Sequence, residues 1–89
     1  MREFEVEKKL HEVLKKLFKK DKKMYNAVRK KITEIVNSSN AEHYKNLKFP
    51  MNEFKRVHVD KSFVLIFKFD KKIDKMMFYD LNHHDKIYR

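Results

Sequence analysis

Hydrophobic residues change their period along this chain, and the changes divide it into segments. Residues 2–6 alternate, with Phe4 and Val6 on one side, which predicts a short strand at or near the edge of a sheet. From Glu7 the spacing becomes helical. Leu10, Val13, Leu14, Leu17 and Phe18 share one stripe with lysines between them, so a helix is expected over 7–20. Asp21 is placed to cap a second helix, whose stripe of Met24, Val28, Ile32, Ile35 and Val36 runs to Asn37, where the polar run Asn37-Ser38-Ser39-Asn40 stops it. The connection at Lys20-Asp21 is too short for anything but a tight helical hairpin, with both apolar stripes turned to the same side.

Residues 41–52 contain the only proline, Pro50, and show no period, so they read as a loop or a short extended segment. Strands follow over 53–59, 62–69 and 74–81, with turns at Asp60-Lys61 and Asp70-Lys71-Lys72. On the first of these, Val57 and Val59 point one way and Arg56 and His58 the other, because neighbouring side chains on a strand alternate faces. Phe63 to Phe67 is apolar at every position, the pattern of a central strand covered on both faces. Alternation in the last strand sets Met76 and Phe78 against Met77, Tyr79 and Leu81. The expected fold is α+β: an N-terminal strand and a helical hairpin packed on one face of an antiparallel sheet, in the order β-α-α-β-β-β, as a single domain over 1–89.

Charge narrows the partners. A net charge of +10 on 89 residues favours a polyanion such as RNA, DNA or an acidic protein, although a merely soluble lysine-rich surface has the same composition. The absence of cysteine removes disulfides, thiol nucleophiles and thiolate metal sites. The absence of glycine removes glycine-rich phosphate loops and leaves left-handed turn positions to Asn, Asp, Lys or Ser. No apolar run is long enough to span a membrane, and the charged N-terminus lacks the core of a signal peptide, so the default location is cytoplasmic.

The candidate chemistry lies in the last third of the chain. Arg56 and His58 point to the sheet face that the helices leave free, and His84 and Tyr88, from the end of the last strand, are expected to reach the same surface. A guanidinium for phosphate charge, imidazoles for proton transfer and a ring for a base are the groups that metal-free RNA cleavage needs. Each has a structural reading too. His58 fits a hydrogen-bonded strand residue, Tyr88 a packing residue, and the lysine-rich outer face of the helices a solvated surface as well as a nucleic-acid track. His11, among the helix lysines, reads as surface. The adjacent His83 and His84 project in different directions and no second cluster stands at ligand spacing, so neither a metal nor another cofactor is expected.

The runs His43-Tyr44-Lys45-Asn46-Leu47-Lys48, Phe54-Lys55-Arg56-Val57-His58-Val59, Ser62-Phe63-Val64-Leu65-Ile66-Phe67 and His83-His84-Asp85-Lys86-Ile87-Tyr88 resemble the RelE/ParE superfamily of type II toxins, in its RelE-like, YafQ-like branch. The resemblance spans nearly the whole chain. It implies an mRNA interferase: a small endoribonuclease that enters the ribosomal A site, cleaves translated mRNA without a metal and is held inactive by a cognate antitoxin. By position, His58 matches a strand histidine or lysine used for proton transfer or phosphate binding, and His84 matches the C-terminal catalytic histidine. Tyr88 matches the aromatic that stacks on or orients the mRNA base. Arg56 and Lys45 fall near basic or catalytic positions of the family; Arg56 is expected in the catalytic set, and Lys45, Lys48, Lys55 and Lys86 are expected to bind RNA. The chain departs from the family at Val64, often an arginine, at Ser62 and Phe63, often an acidic residue and tryptophan, and at Asn52-Glu53, where the glycine of a Leu-Lys-Gly turn is usual. The alternative is a non-catalytic binder, either a ParE-like topoisomerase inhibitor or an RNA-binding domain, which need not keep His58, His84 and Tyr88.

Overall fold

The computed structural model describes residues 2–48 and 50–83. Its elements are β1 (Glu3–Val6), α1 (Lys8–Lys20), α2 (Lys22–Val36), a single 3-10 turn (Ala41–His43), β2 (Lys55–Val59), β3 (Phe63–Asp70) and β4 (Lys75–His83). The helices and strands lie where the hydrophobic period places them, and the 3-10 turn falls in the stretch that shows no period. One residue serves as the hinge of the helical hairpin: the Asp21 amide donates to the Leu17 carbonyl at 2.8 Å, closing α1, while its carboxylate accepts from the Met24 amide at 3.1 Å, opening α2.

The strands form one sheet in the order β1-β4-β3-β2. β2 with β3, and β3 with β4, are antiparallel, as their short turns require. β1 runs parallel to β4, with Phe4 opposite Met76, so the sheet is mixed rather than wholly antiparallel. The cause is topological. The long connection between Val36 and Lys55 returns the chain so that β2 runs in the direction of β1, and two hairpin reversals then bring β4 into that direction again. Alternation within a four-residue strand carries no signal about the direction of its neighbour.

Both helices cover one face of the sheet. Leu10, Val28, Ile35 and Val36 are buried against Val59, Leu65, Phe67, Met76, Phe78 and Leu81. Fully burying side chains of this size contributes roughly 1.5–3 kcal/mol each. Val64 and Ile66 are buried as well but stand outside that cluster, on the opposite face, as the unbroken apolar run of β3 predicts. Leu81 corrects the expected alternation of β4. It joins Met76 and Phe78 in the core because the register slips between Ile66, opposite Asp80, and Phe67, opposite Phe78, leaving Tyr79 as an extra residue. A bulge of this kind reverses the facing of every later side chain.

The turns use aspartate where glycine is absent. Asp60 and Asp74 hold φ of 57° and 51°, in the left-handed region that short polar side chains tolerate better than branched ones. The stretch before β2 is partly extended. Leu47 N donates to Phe54 O at 2.9 Å and Arg56 N to Lys45 O at 2.9 Å, so residues 45–47 lie along the outer edge of β2 and cover backbone groups that would otherwise be open to another strand.

Candidate functional site

The face away from the helices is built as a series of rungs across β2, β3 and β4. Arg56 stands beside Ile66 and Asp80, and His58 beside Val64 and Asn82. Successive rungs on one face are two residues apart, about 6.6–6.8 Å along a strand, so the guanidinium and imidazole stems are next neighbours. Between them and Asp80 and Asn82 lies an apolar floor of Val64 and Ile66, 0% and 5% exposed. His58 is exposed and Arg56 half-buried. Asp80 supplies the acidic edge: Lys9 Nζ, from the first turn of α1, reaches its Oδ2 at 2.9 Å, and Asn82 Nδ2 donates to the same oxygen at 2.6 Å. Chemically, a guanidinium such as that of Arg56 can pair with an anion, and an imidazole is a side-chain type able to accept or donate a proton.

The expected site residues do not all share this surface. Lys45 and Lys48 are exposed on the segment that flanks β2. Lys55 belongs to the other face: its ammonium donates to Tyr44 O and Asn46 Oδ1, each at 3.1 Å, and so fastens the flanking segment to the strand. His84, Lys86 and Tyr88 lie outside the described residues; β4 ends at His83, whose ring meets Phe63 edge-on at 5.7 Å. Sequence reasoning passed over Phe54, Lys68 and Tyr79. Phe54, Lys68 and Tyr79 continue the open face by parity, and the cue that was present was the even spacing of Phe54 from Arg56, of Lys68 from Ile66 and of Tyr79 from Met77; the bulge acts only after Tyr79, on the facing of Asp80 and Leu81. Among the described residues no three of His, Asp and Glu converge to hold a metal ion, and no helix is long and apolar enough to cross a membrane.

Charge is divided unevenly between the layers. Residues 8–36, the helical hairpin, hold eleven Lys and Arg against three acids, most of the net charge of +10. Between the hairpin and β1 lies a depression of about 710 Å³ with Phe4, Leu14, Phe18 and Ile32 in its walls and Lys15 and Arg29 at its rim. It lies away from the rungs of the open face.

No family model matches the sequence. The protein named "Putative toxin RelE4" of Methanocaldococcus jannaschii is 49% identical over 89 residues, covering 100% of this chain and 93% of that one. Identity of that extent over whole chains decides the family. This chain belongs to the RelE family of toxins of toxin–antitoxin systems. Its fold agrees with solved RelE-like structures. The YoeB/ParE toxin from Agrobacterium tumefaciens superposes with a TM-score of 0.78 at 10% identity, over 92% of this chain and 98% of that one. The chain matched in the E. coli DinJ-YafQ complex superposes with a TM-score of 0.74 at 18% identity, over the whole of both chains. In this RelE-family chain the open sheet face carries Arg56 and His58, and the opposite layer carries the bulk of the charge.

Proposed function

We propose that this RelE-family toxin is an endoribonuclease that cleaves translated mRNA on the ribosome, in the cytoplasm and without recruiting a metal ion, and that a cognate antitoxin holds it inactive. The observation that carries the reading is the pairing of Arg56 and His58 on neighbouring rungs of an open face with an apolar floor. In the reaction, one imidazole takes the proton of the 2′-OH, the 2′-oxygen bonds to phosphorus, and the bond to the 5′-oxygen breaks. The leaving oxygen takes a proton from a second acid. His58 and His84 are assigned to these two transfers, Arg56 to the charge that builds on the phosphoryl oxygens, and Tyr88 to holding the base. Lys45, Lys48 and Lys86 are assigned to the RNA backbone. Lys55 acts mainly by holding the segment that presents Lys45.

For the antitoxin, support comes from the YafQ toxin of E. coli, whose structure with DinJ has this fold, and from the apolar groove of the hairpin with its cationic rim. An acidic amphipathic segment fits such a groove. Induction in a test cell with primer-extension mapping of one translated and one untranslated message tests the nuclease. Breaks confined to the translated message are expected. Growth arrest with intact messages and blocked topoisomerase activity would overturn the reading in favour of a ParE-like inhibitor.

A further inference from the structure

The open face continues beyond Arg56. The ring of Phe54 meets that of Tyr79 at 5.0 Å between centroids and 89° between planes, and Lys68 Nζ lies over the Phe54 ring at 5.4 Å. A perpendicular pair leaves at least one face of the tyrosine ring clear of its partner. Next to Tyr79 is a depression of about 500 Å³ bounded by Lys68, Asp70, Lys71, Lys72 and Met77. Three ammoniums face one carboxylate, and that carboxylate already accepts from the Lys72 amide at 3.0 Å. Lys68 and Lys71 reach Glu53 at 3.4 Å and Glu42 at 2.9 Å, but both pairs are solvent-exposed; such pairs hold weakly and exchange readily for another anion. Lys68 is opposite Met77, four residues along β3 from Val64, which pairs with His58, so the depression begins about 13 Å from the histidine rung.

A flat ring, a thioether and several cations, strung along the face that holds Arg56 and His58, are the elements of a single-strand platform: π faces take bases and ammoniums follow the backbone. We propose that this depression is a subsite for a nucleotide of single-stranded RNA flanking the cleaved bond, with its base on Tyr79 and its phosphate on Lys68 and Lys72. The proposal rests on the nuclease reading above and extends the recognition of substrate beyond the reacting bond.

The test is anisotropy of the full chain with a short fluorescein-labelled single-stranded RNA carrying 2′-deoxyribose to block cleavage, alongside a polyglutamate probe, with ribosomal cleavage measured in parallel. Tyr79→Ala is expected to weaken RNA binding about 5- to 150-fold, and Tyr79→Phe to bind like the wild type. Because Tyr79 packs on Phe54, Tyr79→Leu keeps an apolar neighbour for that ring while removing the π face, and it is expected to lose binding with an unchanged melting temperature. The double variant Lys68→Ala/Lys72→Ala should lower the log–log salt slope by about 0.7 for each phosphate that the protein no longer neutralises. A wild type that cleaves while all these variants bind RNA unchanged overturns the subsite and leaves the nuclease reading standing. A wild type that neither binds nor cleaves overturns both. Polyglutamate binding with the same dependence on Tyr79 overturns the subsite in favour of an acidic peptide.

Discussion

The Arg2 guanidinium meets the Asp74 carboxylate at 2.9 Å across 72 residues of sequence, tying the first strand to the β3–β4 turn. The same group donates to Val36 O at 3.1 Å and Ser38 O at 2.6 Å, at the C-terminus of α2, and lies 5.4 Å from the Phe69 ring centroid. Its side chain is 14% exposed, whereas that of Asp74 is 64% exposed. The hydrogen bonds to carbonyls at the negative end of a helix should therefore matter more than the surface ion pair. Arg2→Ala is expected to cost about 1.5–3 kcal/mol in urea unfolding, and Asp74→Ala less than about 1 kcal/mol, the range of an exposed ion pair. Equal losses would contradict this ranking.

Asp60 turns β2 into β3 at φ 57°. A branched side chain in the left-handed region costs roughly 1–2 kcal/mol, and glycine carries no such penalty. Asp60→Val should lower the urea midpoint clearly, and Asp60→Gly should hold or raise it. A valine variant as stable as the wild type would mean that the turn adopts another conformation in solution.

His58→Ala is expected to cut ribosomal cleavage by roughly 10² to 10⁴, the usual loss for a general acid or base. The melting temperature should hold, since His58 is exposed. Arg56→Ala should lower the rate without moving the pH optimum, because a guanidinium stays charged throughout. Rates are compared at matched ribosome occupancy. Cleavage by His58→Ala/His84→Ala at the wild-type rate would take the histidines out of the chemical step.

Ribosome binding should depend steeply on salt, and most of that dependence should reside in the hairpin, where the charge excess sits. Replacing Lys15, Lys16, Lys19 and Lys20 together by glutamine is expected to flatten the log–log slope by about 0.7 to 0.9 for each lysine that neutralises a phosphate. Cosedimentation across a salt series measures it. An unchanged slope would place the ribosome-binding contacts outside the hairpin.

Lys75 Nζ meets Glu5 Oε1 at 2.7 Å and joins β1 to β4. The hydrogen bond from the ammonium to Glu5, together with the charges of Glu5 and Glu3, raises the lysine's pKa above its ordinary value against some loss of hydration. A raised lysine pKa stabilises the fold below the unfolded value, and that contribution disappears as pH climbs through the folded value. The stability gap between wild type and Glu5→Gln should thus hold up to the ordinary lysine value of 10.5 and close only as pH climbs beyond it. A gap that widens in alkali would contradict the pairing.

The sequence by itself determined the elements and the facing of β2. Helical spacing from Leu10 to Phe18 and from Met24 to Val36, and alternation from Arg56 to Val59, are local periodicities, and burial of one stripe or one face is the only way to remove so much apolar surface from water. It also showed that, without glycine, short polar residues would take the tight turns, as Asp60 and Asp74 do. Tertiary structure alone decided that β1 runs parallel to β4, since strand direction is set by the route of the intervening chain. It also decided that Leu81 turns inward. A bulge arises from the register between two strands distant in sequence, and no period within either strand encodes it.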